Sequence, residues 1–190
     1  PPGGPASPAR REFLGVVVRA DSHARIDTVE VPIPAYDLAL DTETARAIVV
    51  GAMGATILRT DNLQIEDAGI RPRSSSTSVA IDPKTHVGFV ISSDDIFQIN
   101  LSDGTLESHR RAPAEPGPGQ LAVDPNHSLV MIDSHGDGEG KLLVVDPTDL
   151  RTVTSTQLGG GWSQLAIDPS DGQIFVTDIT NGTVDFIPRQ

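Results

Sequence analysis

The sequence predicts an all-β fold, a β-propeller of about four blades that are each a four-stranded antiparallel sheet. A short fragment occurs four times, as Leu38-Ala39-Leu40-Asp41 and again at the positions that end in Asp82, Asp124 and Asp168. Its spacing of 41, 42 and 44 residues lies in the range of a four-stranded propeller blade. The 18 glycines and 15 prolines fall between short apolar runs, which is typical of strands joined by turns.

Each repeat contains an inner strand that ends in the aspartate, a second apolar strand, and two strands of rising polarity. Inner strands crowd near the axis of a propeller, and a small residue recurs there as Ala39, Ala80, Ala122 and Ala166. Both faces of a blade are buried against neighbours, so we expect near-continuous apolar runs in the first two strands. The predicted strands are 36–41, 47–52, 55–60 and 63–68 in the first repeat, 76–82, 87–93, 95–101 and 105–112 in the second, 119–124, 128–134, 141–146 and 151–158 in the third, and 162–168, 173–179 and 183–188 in the last.

The four anchor aspartates are predicted to cap turns. Asp82, Asp124 and Asp168 each precede a proline, and Asp41 precedes Thr42. Asp accepts hydrogen bonds from nearby backbone amides, and Pro presets φ for the next turn position. A catalytic ring of four carboxylates is the alternative, but each of these residues stands where a turn needs it. We therefore expect the fragment to begin each blade and to carry no chemistry.

Two further strands, 12–20 and 24–32, resemble the third and fourth strands of a preceding blade, whereas the last repeat lacks a fourth strand. If 24–32 supplies that strand, the four blades close into a ring without exposed sheet edges, although 12–20 is then one strand in excess. Alternatively, the four blades are part of a larger ring that another segment or a partner chain completes. The sequence leaves both architectures open.

Composition excludes several classes of function. The formal net charge of −12 argues against nucleic acid, because binding there requires Lys and Arg to neutralise phosphates. No apolar run approaches the ~20 residues of a membrane-spanning helix, so we expect no membrane insertion of this segment. The absence of cysteine removes disulfides and thiolate metal sites. Residues 1–11, rich in Pro, Gly and Ala, are predicted to be a flexible linker ahead of a propeller domain over 12–190.

The repeat pattern resembles the YVTN/NHL-like β-propeller superfamily over residues 12–188. The fragment QLAIDPSDGQIFVTDITNGTVDFIP, 164–188, is the most similar, and QLAVDPNHSLVMIDS, 120–134, is next; the first blade departs, with VVGAMG in place of an aromatic strand. The resemblance implies a fold rather than a reaction, since the superfamily includes scaffolds, ligand binders, lactonases and quinone-dependent enzymes. A linker-like head often follows a signal peptide or anchor, so we expect an extracytoplasmic or secreted protein, with a cytoplasmic location as the alternative.

Loops on one face of the propeller are the expected ligand site. In such propellers, the loops from fourth to first strands and from second to third strands share one face. Inner strands begin there at Tyr36-Asp37, Thr77-Ser78, Gly119-Gln120 and Ser163-Gln164. Trp162 follows three glycines, and Tyr36 is expected to occupy the corresponding place in the first blade. Both are expected to offer a stacking surface, or else to pack in the channel or between blades. The candidate binding residues at these strand starts are Trp162, Tyr36, Gln120 and Gln164.

Two charged loops are additional candidates. Arg71 and Arg73 form the clearest basic pair, and the guanidinium fork suits a carboxylate or phosphate, unless the loop is simply solvated. Asp133, Asp137 and Glu139 share a glycine-rich turn, in which alternate carboxylates resemble part of a calcium loop, although the spacing misses the EF-hand pattern. The alternative is an enlarged hairpin without metal, and we expect no cofactor.

The leading functional expectation is a non-enzymatic β-propeller that binds a protein or a small ligand on this face. The five histidines have no metal-ligand spacing, and the serines form no nucleophile-elbow motif. A lactonase- or quinoprotein-like enzyme, or an inactive remnant, is one alternative; only Asp37 is a carboxylate at the strand starts, which leaves a divalent ion poorly held. An assembly or sensor module of a larger complex is the other alternative, since an open arc of blades requires a partner.

Overall fold

In the computed structural model of the chain, the described residues are 13–18, 25–67, 69–70, 76–92, 95–111, 119–124, 126, 128–134, 140–158 and 161–187. They form seventeen β-strands, which turns and short extended segments connect. Within the same ranges, no helix has the length and the apolar character needed to cross a bilayer.

The strands form antiparallel meanders, in which each strand pairs with the next one along the chain. The first blade consists of β3 (Ala35–Asp41), β4 (Arg46–Gly51), β5 (Gly54–Arg59) and β6 (Ile65–Glu66). The second consists of β7 (Ser76–Asp82), β8 (Val87–Ser92), β9 (Asp95–Asn100) and β10 (Thr105–Arg111). The third consists of β11 (Leu121–Val123), β12 (Leu129–Ser134), β13 (Gly140–Val145) and β14 (Thr152–Gln157). The last blade contains β15 (Trp162–Ile167), β16 (Ile174–Asp178) and β17 (Thr183–Ile187), and a hairpin of β1 (Phe13–Val18) and β2 (Arg25–Val31) precedes the first blade.

The four blades follow one another around a common axis, and the fold is a β-propeller, which confirms the fold class predicted from the repeats. Their inner strands pack in sequence, β3 against β7, β7 against β11, and β11 against β15. The observed strand bounds agree closely with the predicted ones, except that β6 and β11 are shorter than expected.

Three apolar cores lie between neighbouring blades. Alternate residues of a strand point to opposite faces, so one blade contributes to two cores, and this explains the continuous apolar runs of the inner strands. Burial of these side chains stabilises the fold by about 25 cal/mol per Å² of apolar surface. The main contributors are Ile48, Ile57, Val79 and Phe97 between the first two blades, Phe89, Ile96, Leu121 and Met131 between the next two, and Val130, Leu142, Leu165 and Val176 between the last two.

Gly88 in β8 permits a close approach between the first two blades. Ile48 of the first blade is fully buried, and a Cβ placed on Gly88 lies 2.1 Å from Ile48 Cδ1. This separation is far below van der Waals contact, so any side chain at position 88 displaces Ile48. The glycine in VGFVIS therefore reflects packing between blades rather than a turn.

The anchor aspartates cap the lower turns, which join the first and second strands of each blade, as the sequence predicted. In all four turns, a carboxylate oxygen accepts a hydrogen bond from the amide two residues further on, at 2.8–3.1 Å. The turn after Asp41 keeps this cap although Thr42 stands in place of proline. The donors to Asp41, Asp82, Asp124 and Asp168 are the amides of Glu43, Lys84, Asn126 and Ser170.

The β1–β2 hairpin is not part of the last blade. Strand β2 pairs with β1, and among the described strands β17 pairs with β16 alone. Residues 24–32 therefore do not supply a fourth strand to the last blade, which is the pairing that a closed four-bladed ring required. Residues 1–11, the predicted linker, lie outside the described ranges, and their flexibility stays a prediction.

Candidate functional site

The upper face of the propeller is the end at which the inner strands begin. The strand register places Ala35 opposite Gly51 in the first blade and Trp162 opposite Asp178 in the last. The start of each inner strand thus meets the end of the second strand. The loops that enter the first strands and the loops that leave the second strands therefore share this face, as the sequence predicted.

A β-bulge lies at the start of three inner strands. The register shifts in β3, β7 and β15, at Tyr36, Thr77 and Ser163. A bulge bends its strand and changes the direction of the local side chain. Tyr36, the bulge residue of β3, is 61% exposed. The sequence interpretation equated Tyr36 with Trp162 and was wrong by one residue, because Ser163 occupies the position of Tyr36 and Trp162 aligns with Ala35.

A chain of hydrogen bonds between blades begins at the residue that follows the bulge. Asp37 Oδ2 accepts hydrogen bonds from Ser78 Oγ and from the Val79 amide, both at 3.2 Å. Ser78 Oγ in turn accepts a hydrogen bond from the Leu121 amide at 3.2 Å. Asp37 and Ser78 are equivalent residues of the first two blades, so the chain spans three blades. Asp37, the one carboxylate at the starts of the inner strands, therefore links blades.

Gln120 and Gln164 occupy the same position in the third and last blades. The side chain of Gln164 is exposed. The backbone N–H of Gln164 donates a hydrogen bond to Thr177 Oγ1 at 3.1 Å. Gln120 is half-buried. Its backbone carbonyl accepts a hydrogen bond from the backbone N–H of Ile132 at 3.1 Å. The upper face thus combines an exposed aromatic ring at Tyr36 with polar side chains at the starts of the inner strands.

Trp162 is the first residue of β15 and follows Gly161, whose backbone is fixed by its surroundings. Gly161 has a φ of 90°, and a Cβ placed there lies 1.9 Å from Thr180 Oγ1. Its carbonyl accepts a hydrogen bond from the Ile179 amide at 2.7 Å. Glycine alone fits both the conformation and the contact. The chain therefore enters the last blade through a defined bend rather than through a freely flexible glycine.

Asp178 is a buried carboxylate of the upper face that the sequence analysis missed. Its Oδ1 accepts hydrogen bonds from the Thr180 and Asn181 amides at 2.8 and 3.0 Å, and its Oδ2 from Asn181 Nδ2 at 2.7 Å. The hydrogen bonds from the Asn181 amide and side chain hold the pKa of Asp178 below its ordinary value, against the effect of burial. The signal in the sequence was Asn181-Gly182, a turn pair three residues after an aspartate.

Six of the predicted candidates stand wholly or partly outside the described residues, and one of them is Trp162, which is placed by its backbone alone, so that its stacking role stays a prediction. Arg71, Arg73, Asp137 and Glu139 lie outside them, and Asp133 is placed by its backbone in β12, opposite Lys141. Within the described ranges, no three His, Asp or Glu side chains come together as metal ligands. The arginine pair and the calcium loop stay predictions.

A cleft of about 350 Å³ opens between the second and third blades. It is lined by Phe89, Gln98, Glu107 and Pro147, and by residues of the lower turn that follows Asp82. Its volume lies within the range of small-ligand sites. Sequence reasoning missed it because its walls come from strands and loops of different repeats, on the side away from the predicted ligand face.

Solved structures that resemble this chain are β-propellers, and their sequence identity to it is low. The chain superposes on Kuenenia stuttgartiensis hydrazine synthase with a TM-score of 0.73 and 13% identity, over 91% of this chain and 59% of that one. It superposes on the WD40 β-propeller domain of Doa1 with a TM-score of 0.68 and 10% identity, over 89% and 56%. For the dihydro-heme d1 dehydrogenase NirN in complex with DHE, the TM-score is 0.59 and the identity 13%, over 93% and 42%. No protein-family model and no curated protein matches the sequence.

These similarities show the fold alone. The chain spans 42–59% of the length of these three solved chains. Because a dehydrogenase and a WD40 domain stand among them, the likeness does not separate an enzyme from a binding domain. What this chain shares with all three is the β-propeller architecture.

Proposed function

We propose that this chain is a binding domain, a non-enzymatic β-propeller of the YVTN/NHL-like kind whose upper face holds a protein or a small ligand. The observation that carries the proposal is Tyr36, which lies at the bulge at the upper end of β3 with 61% of its surface exposed. Exposed Gln164 and half-buried Gln120 stand at the starts of two other inner strands. An aromatic ring among a few polar groups is the usual composition of a binding surface.

The hydrogen bonds of Asp37 favour binding over metal-dependent catalysis. This carboxylate already accepts three hydrogen bonds, at Oδ2 from Ser78 Oγ and the Val79 amide and at Oδ1 from the Leu38 amide, and an ion that displaces them leaves these donors without an acceptor. Each buried polar group left without a partner costs about 1–3 kcal/mol. Binding through Tyr36 carries no such cost, because its ring already faces solvent. We extend the proposal to an extracytoplasmic setting, for which the linker-like composition of residues 1–11 is the support.

The proposal is tested by NMR chemical-shift perturbation with indole, benzamide and N-acetylglucosamine as probes. We expect saturable shifts that cluster at the backbone amides of Tyr36, Gln120 and Gln164 for at least one probe. Tyr36→Ala removes these shifts, because the aromatic surface is lost. Lys84→Ala, an exposed change on the opposite face, serves as the matched control and leaves them unchanged.

Two results contradict the proposal. Shifts confined to the cleft beside Phe89 and Gln98 move the binding site to the space between blades. Saturable shifts that persist unchanged in Tyr36→Ala show that the upper-face aromatic takes no part in binding.

A further inference from the structure

We propose that the cleft between the second and third blades binds an alkylguanidinium group, which is the side-chain chemistry of arginine. The cleft has a volume of about 350 Å³, and residues of both blades line it. It is separate from the upper face, and the guanidinium site does not rest on the ligand proposed there. Its support is the equivalent space between the first two blades, which holds a guanidinium of the chain itself.

Arg46, the first residue of β4, links the first blade to the second. Its Nε donates a hydrogen bond to Glu66 Oε2 at 3.0 Å, within the first blade. Its Nη1 donates to the backbone carbonyls of Leu101 and Ser102, at 2.8 and 3.2 Å, in the turn between β9 and β10. The side chain of Arg46 is 12% exposed. One carboxylate and two turn carbonyls therefore hold a largely buried guanidinium at an interface between blades.

Val87 is the residue of the second blade that is equivalent to Arg46. Each begins the second strand of its blade and pairs with the anchor aspartate, Arg46 with Asp41 and Val87 with Asp82. Both side chains face the next blade, since Arg46 reaches the second blade and Val87 packs on the core shared with the third. Valine is too short to cross the interface, and the space beside it is the open cleft.

The two carbonyl groups that accept hydrogen bonds from Arg46 have counterparts in the wall of the cleft. Pro147 and Thr148 line the cleft and lie in the turn between β13 and β14. This turn has the same hydrogen bonds as the turn between β9 and β10. In both, the side chain of the first residue caps the amide two residues further on, and its carbonyl accepts from the amide four residues further on, all at 2.8 Å. Pro147 is therefore equivalent to Leu101, and Thr148 to Ser102.

The carbonyl of Pro147 already receives a donor from the second blade. That donor is Gln98 Nε2, just as Arg46 Nη1 is the donor to the Leu101 carbonyl. A carbonyl oxygen has two lone pairs and accepts a second donor. The side-chain amide of Gln98 is neutral, whereas a guanidinium brings five donors and a full positive charge. The acceptors of the first interface thus recur beside a space that has room for the larger group.

Two carboxylates line the cleft, where the first interface has Glu66. Glu107 is the bulge residue of β10 and precedes Ser108, which the strand register makes equivalent to Glu66. Its Oε1 accepts a hydrogen bond from Asn100 Nδ2 at 3.0 Å. Asp82, the anchor aspartate, is the second carboxylate, and none of the described lining residues is basic. Both charges, and the net charge of −12, attract a cation.

The apolar part of the lining suits an alkyl stem. Val87 and Phe89 contribute it, and an arginine-like chain packs its methylene groups on such a surface while its charged head meets polar groups. The cleft between the third and last blades, of about 190 Å³, has Val144 and Thr154 at the equivalent wall, and none of its described lining residues is a glutamate. We therefore expect a guanidinium to prefer the cleft between the second and third blades.

The test is NMR titration of the 190-residue chain with butylguanidine, and with butylurea as a neutral probe of the same shape. We expect saturable shifts at the backbone amides of Val87, Phe89, Gln98 and Thr148 with butylguanidine. Butylurea binds roughly tenfold more weakly or not at all, because the carboxylates attract only the charged probe. Added salt weakens the binding of butylguanidine.

Two variants test the contacts independently. Val87→Arg places in the second blade the side chain that Arg46 provides in the first, so we expect it to fill the cleft and abolish the shifts. Glu107→Gln keeps the shape of an exposed side chain and removes its charge, so it weakens butylguanidine roughly tenfold and leaves butylurea unchanged. Glu30→Gln, the same change at an exposed residue of β2, is the matched control and alters neither. Circular dichroism verifies that each variant folds.

A blocked Gly-Arg-Gly peptide distinguishes the two sources of the guanidinium. Tighter binding of the peptide than of butylguanidine, with the same loss in Glu107→Gln, assigns the cleft to an arginine of a protein partner. Weaker binding of the peptide assigns it to a small free guanidine.

Three results overturn the proposal. The first is that butylguanidine gives no saturable shifts at the amides of the cleft. The second is that butylurea binds as tightly as butylguanidine, which leaves only apolar contact. The third is binding that survives unchanged in both Val87→Arg and Glu107→Gln, which places the site elsewhere.

Discussion

His86 Nδ1 lies 2.8 Å from Asp41 Oδ2, and this contact joins the lower turns of the first and second blades. The other ring nitrogen, Nε2, lies 3.5 Å from Glu43 Oε2. Asp41 is 2% exposed and caps its own turn as well. The first two blades are therefore tied at both ends of their inner strands, by Asp41 and His86 below and by Asp37 and Ser78 above.

We expect His86→Asn to lower the free energy of unfolding at pH 7 by about 1–3 kcal/mol, because the buried Asp41 carboxylate loses its hydrogen bond with the His86 ring. Asparagine tolerates the left-handed backbone of position 86, where φ is 58°, so the change reports the contact rather than strain. Lys84→Ala is the control, since Lys84 is an exposed residue of the same lower turn. Urea unfolding measures both, and equal losses contradict the inter-blade role of His86.

The stability contributed by Asp41 depends on pH. Burial alone raises the pKa of Asp41, but hydrogen bonds from Thr44, His86 and the Glu43 amide outweigh it, and the pKa lies below its ordinary value of 3.8. A lowered folded pKa gives stability that is complete above the unfolded value and is lost as the pH falls through the folded value. We expect Asp41→Asn to be less stable than the natural chain at neutral pH, with the difference shrinking once the pH falls below about 4. Urea unfolding across a pH series measures this, and a constant difference contradicts it.

Asp37→Ala tests whether the upper carboxylate is a structural link between blades. We expect the free energy of unfolding to fall by about 1–3 kcal/mol, because Ser78 Oγ and the Val79 amide lose their acceptor. Asp185→Ala, an exposed carboxylate of β17, serves as the control and changes little. Thermal melts with calcium and manganese complete the experiment. A metal-induced rise in Tm that Asp37→Ala abolishes contradicts the structural role and assigns the carboxylate to a metal.

The sequence predicts the blades better than the site because the blades depend on local chemistry. The turn at Asp82 and the small residue at Ala80 recur in every repeat, so spacing alone reveals them. The bond from Ser78 to Asp37 joins residues 41 positions apart, and no pattern along the chain marks it. Trp162 and Tyr36 were equated because a bulge that shifts the register by one residue leaves no clear trace in composition.

Ring closure was undetermined in the sequence for a different reason. Strand β2 suits either β1 or β17 as a partner, since backbone hydrogen bonds carry no sequence information. The structure pairs β2 with β1. Closing this short hairpin costs less chain entropy than joining β2 to a strand at the far end of the chain, which favours the local partner.

A left-handed backbone position recurs in three lower turns, so glycine can be introduced at one of them and removed from another. Ala45, His86 and Gly172 stand just before the second strands of their blades and have φ values of 52°, 58° and 77°. The left-handed conformation costs a residue with a Cβ roughly 1–2 kcal/mol, whereas glycine adopts it freely at an entropic cost of about 0.5–1 kcal/mol.

We therefore expect Ala45→Gly to raise the free energy of unfolding by up to about 1 kcal/mol, and Gly172→Ala to lower it by about 1–2 kcal/mol. Urea unfolding of the two variants beside the natural chain measures the pair. Because the two changes are opposite in chemistry at equivalent positions, a loss of stability in both shows that local packing rather than backbone conformation governs these turns. Opposite signs show that the left-handed turn residue sets the stability of each blade hairpin.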